Sequence, residues 1–379
     1  MPLTKYIIIK VIILCIFSYG GNKMSIERFT VDELTVVKMR PAMFGPDTDV
    51  FATPITPREN MLRLYEGKTP LWAPFSSGEH NHIMVELDPE NVARNPMTKG
   101  DRFDGWGVEW VYVEMAGGAT VKPGTPMVTD INDWENQVKS IPDPDSWDWE
   151  GYAAKIKETL DPDRTLYIGV GGCLFERLIA LMDFSGAAMA LIDDDEKDAV
   201  HRLFRRITDI HKKFYTNCKK YLNADIVNFN DDWGSQRAEF FSVATVREML
   251  LPYILELVEH VHSLGMYWDL HCCGFVEGFV PLFVEAGYDS WGGQDVNDKW
   301  KLKQNFGDKM IFTDVLRIPA DATEEESDAI IADFFAKSGN DNRVFIELAP
   351  TCPAGTRKKV YEASRKNYDR LVAEGKAVL

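Results

Sequence analysis

From about residue 160 onward, short apolar runs alternate with longer segments whose apolar residues recur at helical spacing. "TLYIGVGG" (165–172) reads as a buried strand ending in glycines. "LFERLIALMDF" and an amphipathic stretch from Asp195 to Tyr221 follow it as helices. "ADIVNFNDD" is the next strand, closed by acidic residues. "SVATVREMLLPYILELVEHVHSLG" predicts a helix with Ser242 as N-cap and Gly265 as its stop. The alternation continues as strand 266–272, helix 275–286, strand 288–292, a helix near 297–306 and strand 309–314. Thr323 and Glu326 have the spacing of a capping box at the head of another helix. "RVFIEL" is the last strand, and the last helix runs from about Arg357 to Gly375.

Strands and helices alternating at this interval mean βαβ units and a parallel sheet, either an open doubly wound sheet or a closed eightfold barrel. No G-x-G-x-x-G loop joins an early strand to a helix, and "GVGGCLFE" does not fit it, which argues against a dinucleotide-binding open sheet. "TPLWAPF" (69–75) and "VEWVYVEM" (108–115) are the candidates for the two strands that bring the count to eight. The expected fold is therefore α/β, a (β/α)8 TIM barrel. The Gly-, Pro- and Trp-rich segment that follows is expected to be an insertion near the barrel mouth. Residues 24–379 are expected to form one domain.

Composition changes this picture little. The net charge of −17 excludes a phosphate backbone as partner, since it offers nothing to neutralise one. The six cysteines are scattered and do not form the framework of a small secreted domain, so reduced thiols and a cytoplasmic setting are expected. Residues 1–23 form an apolar extension interrupted by Lys10, with no clear cleavage site and too few residues for a comfortable membrane span. A start assigned upstream of Met24 is the preferred account of it, ahead of an export signal, and no stable membrane anchoring is expected.

Candidate chemistry concentrates in "MYWDLHCCGFVEGF" (266–279). Side chains on a strand point alternately to opposite faces, so Trp268, Leu270 and Cys272 share one face and Asp269, His271 and Cys273 the other. The apolar set belongs under the helices, with Cys272 a small buried hydrophobe. The polar set belongs inside the barrel, His271 and Cys273 reaching the C-terminal rim where barrel enzymes place their chemistry. Two donors do not complete a zinc site, and Cys352, just beyond the last strand, is the candidate third. Asp231 and Asp232 end the strand before and are read as acid/base or oxygen-ligand candidates, or as helix-capping and surface charge. Glu176 is a base, a fourth ligand, or a first-turn glutamate favoured by the helix dipole. Asp269 lies deeper, and His80 and His82 are expected to be polar loop residues. Trp106, Trp110 and Trp233 are pocket walls or structural tryptophans.

The stretch from "NFNDDWGSQ" to "GYDSW" resembles the uroporphyrinogen decarboxylase superfamily in its order of motifs. These are an Asp-Asp-x-Gly-x-Gln rim, a helix ending in His-Ser-x-Gly, and a His-x-Cys-Gly strand end; "PTCPAGTRKKVYEASRKNYD" resembles its C-terminal part. The resemblance covers most of the chain after residue 60 and implies the barrel. The decarboxylases carry an arginine-rich segment after the first strand, where this chain reads "TPLWAPFSSGEH" with no arginine. A tetrapyrrole decarboxylase is therefore the alternative reading. The cobalamin-dependent methyltransferase branch binds zinc through His-x-Cys and a distant Cys, which His271, Cys273 and Cys352 match. That likeness implies Zn2+, a corrinoid supplied by a separate corrinoid protein, and a small thiol or methylated substrate. Asp231, Asp232 and Glu176 are then the expected catalytic side chains, with Gln236 and Trp233 the expected contacts to the cofactor.

Overall fold

The computed structural model describes residues 28–40, 47–94, 100, 102–114 and 118–379. The apolar extension at 1–23, with Cys15, lies outside the described residues. Among the described residues there are twelve strands. β1 (Val36–Arg40) and β2 (Thr48–Phe51) form an antiparallel hairpin. β3 (His80–Met84), β7 (Thr165–Gly169), β8 (Ile226–Asn230), β9 (Tyr267–His271), β10 (Ser290–Trp291), β11 (Ile311–Leu316) and β12 (Phe345–Leu348) form one parallel sheet in that spatial order. β4 (Arg102–Phe103), β5 (Glu109–Val113) and β6 (Gly118–Val121) make a separate antiparallel sheet.

The parallel sheet curls into a TIM-type barrel. Phe75 forms a parallel bridge with Ile346 of β12, one edge strand, only five residues before β3 begins the other edge. The segment 75–84 thus touches both edges and closes the ring, the eighth strand position being reduced to this bridge. Buried Glu79 fixes the turn. Its carboxylate accepts from Trp72 Nε1 at 3.0 Å and from the Phe75 amide at 3.3 Å, and it pairs with Arg357.

Two strand expectations are corrected here. The described part of segment 108–115, residues 108–114, does not enter the barrel, since Glu109–Val113 pair with β4 and β6. His80 and His82, expected in a loop, lie on β3. The physical reason is that β3 turns polar residues inward, so the apolar alternation that marks a strand is missing. His80 Nδ1 sits 2.7 Å from Thr165 Oγ1, and His82 packs edge-on against Tyr167.

The capped helix Pro57–Tyr65 carries Met61 and Leu64 into a small cluster with Ile226, Ile311 and Phe345, which closes the barrel floor. Helices Phe175–Ala190, Lys197–Asn217 and Leu251–Ser263 bury the outer face of the sheet in the main core. Ser242 and Thr323 cap their helices as expected. After β6 the chain runs along the outside of helix Lys197–Asn217, where Trp147 and Trp149 pack edge-on against Phe214. Among the described residues, no helix is long and apolar enough to cross a membrane.

Candidate metal centre

β9 presents the central side chains. Trp268, Leu270 and Cys272 are fully buried beneath the helices, whereas Tyr267, Asp269 and His271 face the barrel. Asp269 forms the polar floor. It accepts from Tyr167 Oη at 2.6 Å and from the Ser290 hydroxyl, and burial pushes its carboxyl up. Its oxygens are engaged by these partners one layer below the mouth.

One layer higher, His271 is exposed and Cys273 half-buried, with 3.2 Å between Nε2 and Sγ. The strand register brings the end of β8 alongside, since Asn230 is the partner of His271. Asp232 therefore lies beside Cys273 and accepts its backbone N–H at 2.7 Å. The donor atoms of Asp232, His271 and Cys273 lie within 4.8 Å of one another. A tetrahedral ion with bonds of roughly 2.0–2.3 Å needs donors about 3.5 Å apart, so the three fit a divalent cation such as zinc. Electrostatics agree with this. Burial, then Asp232, then Glu176 push the Cys273 thiol up to about 12, and a cation among these groups removes that cost.

Cys352 does not join this group. It sits half-buried in the turn after β12, its Sγ 3.3 Å from the Leu316 carbonyl oxygen at the end of β11. Asp231 is fully buried and points away from the mouth. Its carboxylate accepts from the backbone N–H groups of Phe175 (3.1 Å) and Glu176 (2.8 Å) and from Trp233 Nε1 (2.8 Å), holding the start of the helix after β7. Burial and the Glu176 charge push it up to about 7, against the pull of its three donors. Glu176 is ion-paired with Arg94 at 2.8 Å, and burial raises its carboxyl. Trp233 is 1% exposed and packs on Phe279 and Phe283, so it lies behind the mouth and not on it. Gln236 is exposed on the rim, 2.6 Å from Gln294 Oε1. Trp106 and Trp110 are buried in the flanking layer, each under a guanidinium, of Arg177 and Arg94 respectively.

Sequence reasoning missed two parts of the site. Gln294, which donates to Cys273 Sγ at 3.3 Å, was legible by parity: Ser290 faces inward, and so do positions two and four residues on. The buried ion network of Glu90, Arg94, Asp104 and Arg177 left no such signal, because it joins segments from three separate parts of the chain. Arg177 is paired with both Glu90 and Asp104 there.

A parallel barrel with imidazole, thiol and carboxylate donors converging at the C-terminal rim has the geometry of a barrel enzyme whose rim residues could hold a metal ion. The sequence profile described as uroporphyrinogen decarboxylase (URO-D) matches residues 107–317, and the chain belongs to that family. Among solved structures, a methyltransferase from Methanosarcina mazei shares the fold with a TM-score of 0.54 and 15% identity, over 84% of this chain and 99% of that one. The native xylanase 10B from Thermotoga maritima aligns at a TM-score of 0.34 and 11% identity, over 62% and 83% of the two chains. No curated protein matches the chain.

Proposed function

We propose that the protein is a zinc-dependent methyltransferase that moves a methyl group between a corrinoid protein and a small thiol or methylated substrate. The observation that carries this reading is the convergence of His271 Nε2, Cys273 Sγ and the Asp232 carboxylate at the barrel mouth. In it, His271, Cys273 and Asp232 hold the ion, and Cys352, in the turn after β12 and held against the Leu316 carbonyl, is a further thiol that would have to move to reach it. When bound, a zinc ion there supplies Lewis-acid activation of a substrate thiol, or of an oxygen or nitrogen bearing a methyl group.

The chain's own groups do the rest. Glu176, with its carboxyl raised by burial and steadied by Arg94, stands beside the ion as a proton acceptor for the substrate. Asp231 acts through the backbone, by fixing the helix turn that presents Glu176. Gln236, exposed on the rim, is the contact for an arriving corrinoid. Free thiols suit a reducing compartment, and we place the reaction in the cytoplasm.

The family also includes tetrapyrrole decarboxylases, which need free cations for the substrate's carboxylates. Here two guanidinium groups beside the site are already neutralised, Arg94 by Glu90 and Glu176 and Arg177 by Glu90 and Asp104. That pairing favours methyl transfer. The test is incubation of zinc-loaded protein with methylated corrinoid protein and a panel of thiols and methyl ethers, followed by absorbance. Release of carbon dioxide from a porphyrinogen with no change in the corrinoid spectrum would overturn the reading.

A further inference from the structure

The loops that follow β9 and β10 are sewn together at one point beside the candidate ion site. Asn297, buried, donates from Nδ2 to the Gly274 carbonyl at 2.9 Å and accepts the Val276 N–H at 2.8 Å. The same Nδ2 also reaches the Gln294 carbonyl at 3.0 Å. Gln294 is thereby held against the Cys273 turn. Its side-chain Oε1 accepts from Gly274 N at 3.1 Å and from Gln236 Nε2 at 2.6 Å. The Gly274 N–H on the oxygen sets the orientation of the amide, because the flipped form turns Nε2 against that donor. The remaining face of the amide, Nε2–H, points at Cys273 Sγ at 3.3 Å.

We propose that Gln294 is a positioning residue whose amide N–H, hydrogen-bonded to Cys273 Sγ, fixes that sulfur and keeps it from accepting the methyl group itself. The inference rests on the zinc methyltransferase reading and deepens it. A site that transfers methyl groups to a thiolate faces a chemical problem: its own ligand thiolate is also a nucleophile. A hydrogen bond donated to sulfur withdraws electron density from it and lowers its reactivity, while a substrate sulfur in the open position carries no such bond. Gln236, at the rim, makes the arrangement sensitive to what docks there, since it holds the far side of the same amide.

The test uses the full zinc-loaded chain and iodomethane. The attacking sulfur forms a carbon–sulfur bond, the carbon–iodine bond breaks, and iodide leaves with the electron pair. Mass spectrometry of the peptide spanning residues 271–276 reads methylation at Cys273. Gln294→Glu is nearly isosteric and keeps an acceptor for Gly274 and Gln236 but has no donor for sulfur when ionised; Gln294→Leu removes both. Both variants are expected to methylate Cys273 roughly tenfold faster than the parent chain. In cobalt-substituted protein, the thiolate-to-metal absorption band is expected to move to longer wavelength in both. The two variants must agree, because the charge of Gln294→Glu acts on the sulfur by itself and the lost contacts of Gln294→Leu loosen the turn by themselves, whereas the missing N–H is common to both. If the variants bind metal and methylate at the parent rate, the role of Gln294 falls and the methyltransferase reading stands. If the parent chain takes up neither zinc nor cobalt, both fall together.

Discussion

Cys273 and its neighbours carry the sharpest predictions at the scale of single residues. Cys273→Ser removes the one sulfur inside the converging trio and is expected to abolish metal uptake, read as zinc per chain by elemental analysis. Asp232→Asn leaves an oxygen that still accepts the Cys273 N–H but removes the charge, so metal affinity is expected to fall by about 10–100-fold. Cys352→Ser separates the two ligand sets. A comparable loss shows that the distant thiol closes onto the ion, whereas full retention leaves imidazole, thiolate and carboxylate as the protein's ligands. Asp231 answers a different question. Asp231→Ala strands two backbone N–H groups and the Trp233 indole N–H in a fully buried place, and is expected to cost about 2–4 kcal/mol of stability by denaturant unfolding.

At the scale of elements, the strand ends decide which residues meet. The loops after β8 and β9 pass with backbone against backbone at Gly234 and Gly274. A Cβ on Gly274, whose φ is +83°, would lie 2.0 Å from the Gly234 carbonyl oxygen, and one on Gly234 would lie 2.4 Å from that of Phe275. Gly274→Ala is therefore expected to push the two loops apart, costing about 2–3 kcal/mol of stability and weakening metal binding as Asp232 leaves Cys273. Calorimetric zinc titration together with thermal melting checks it. β9 was legible from the chain because its outward residues are apolar and its inward ones polar, a period of two that needs no partner to read. β3 was not legible, because "HNHIM" opens on His80, Asn81 and His82, polar residues in a row: His80 and His82 contact Thr165 and Tyr167, and these tertiary contacts, not alternation, mark the strand. The segment 108–115 misled for the opposite reason. Its apolar alternation is real, but it serves a small flanking sheet whose existence depends on β4 and β6.

Over the whole molecule, buried ionisable groups set the response to pH. Burial holds His80 down at about 3 and His211 at about 4, below the ordinary 6.5. Between 6.5 and those values the unfolded chain binds protons that the folded one refuses, so stability is expected to fall as pH drops through that window. Asp231, raised to about 7, works in the other direction. From about 4 to 7 the folded state keeps a proton that the unfolded state has lost, and its contribution declines as pH rises. Denaturant midpoints at pH 5 and 7 should show a smaller acid-side loss in His211→Gln than in the parent chain. In Asp231→Asn that loss should be larger, because the opposing trend is gone.

The order of strands and helices after residue 160, the inward face of β9, and His271 with Cys273 as a pair at a rim were all determined by the chain alone. Each follows from local periodicity, and a strand or helix reports its own faces wherever it is placed. The third member of the trio, the engagement of Asp231 by a helix start and of Glu176 by Arg94, and the closure of the ring through Phe75 were decided only in three dimensions. Asp231 and Asp232 are neighbours of the same type, and no local pattern says which turns toward the mouth. That choice is made by the register of β8 against β9 and by the backbone N–H groups of Phe175 and Glu176 in the core, partners more than fifty residues from Asp231 that only the fold brings within bonding distance.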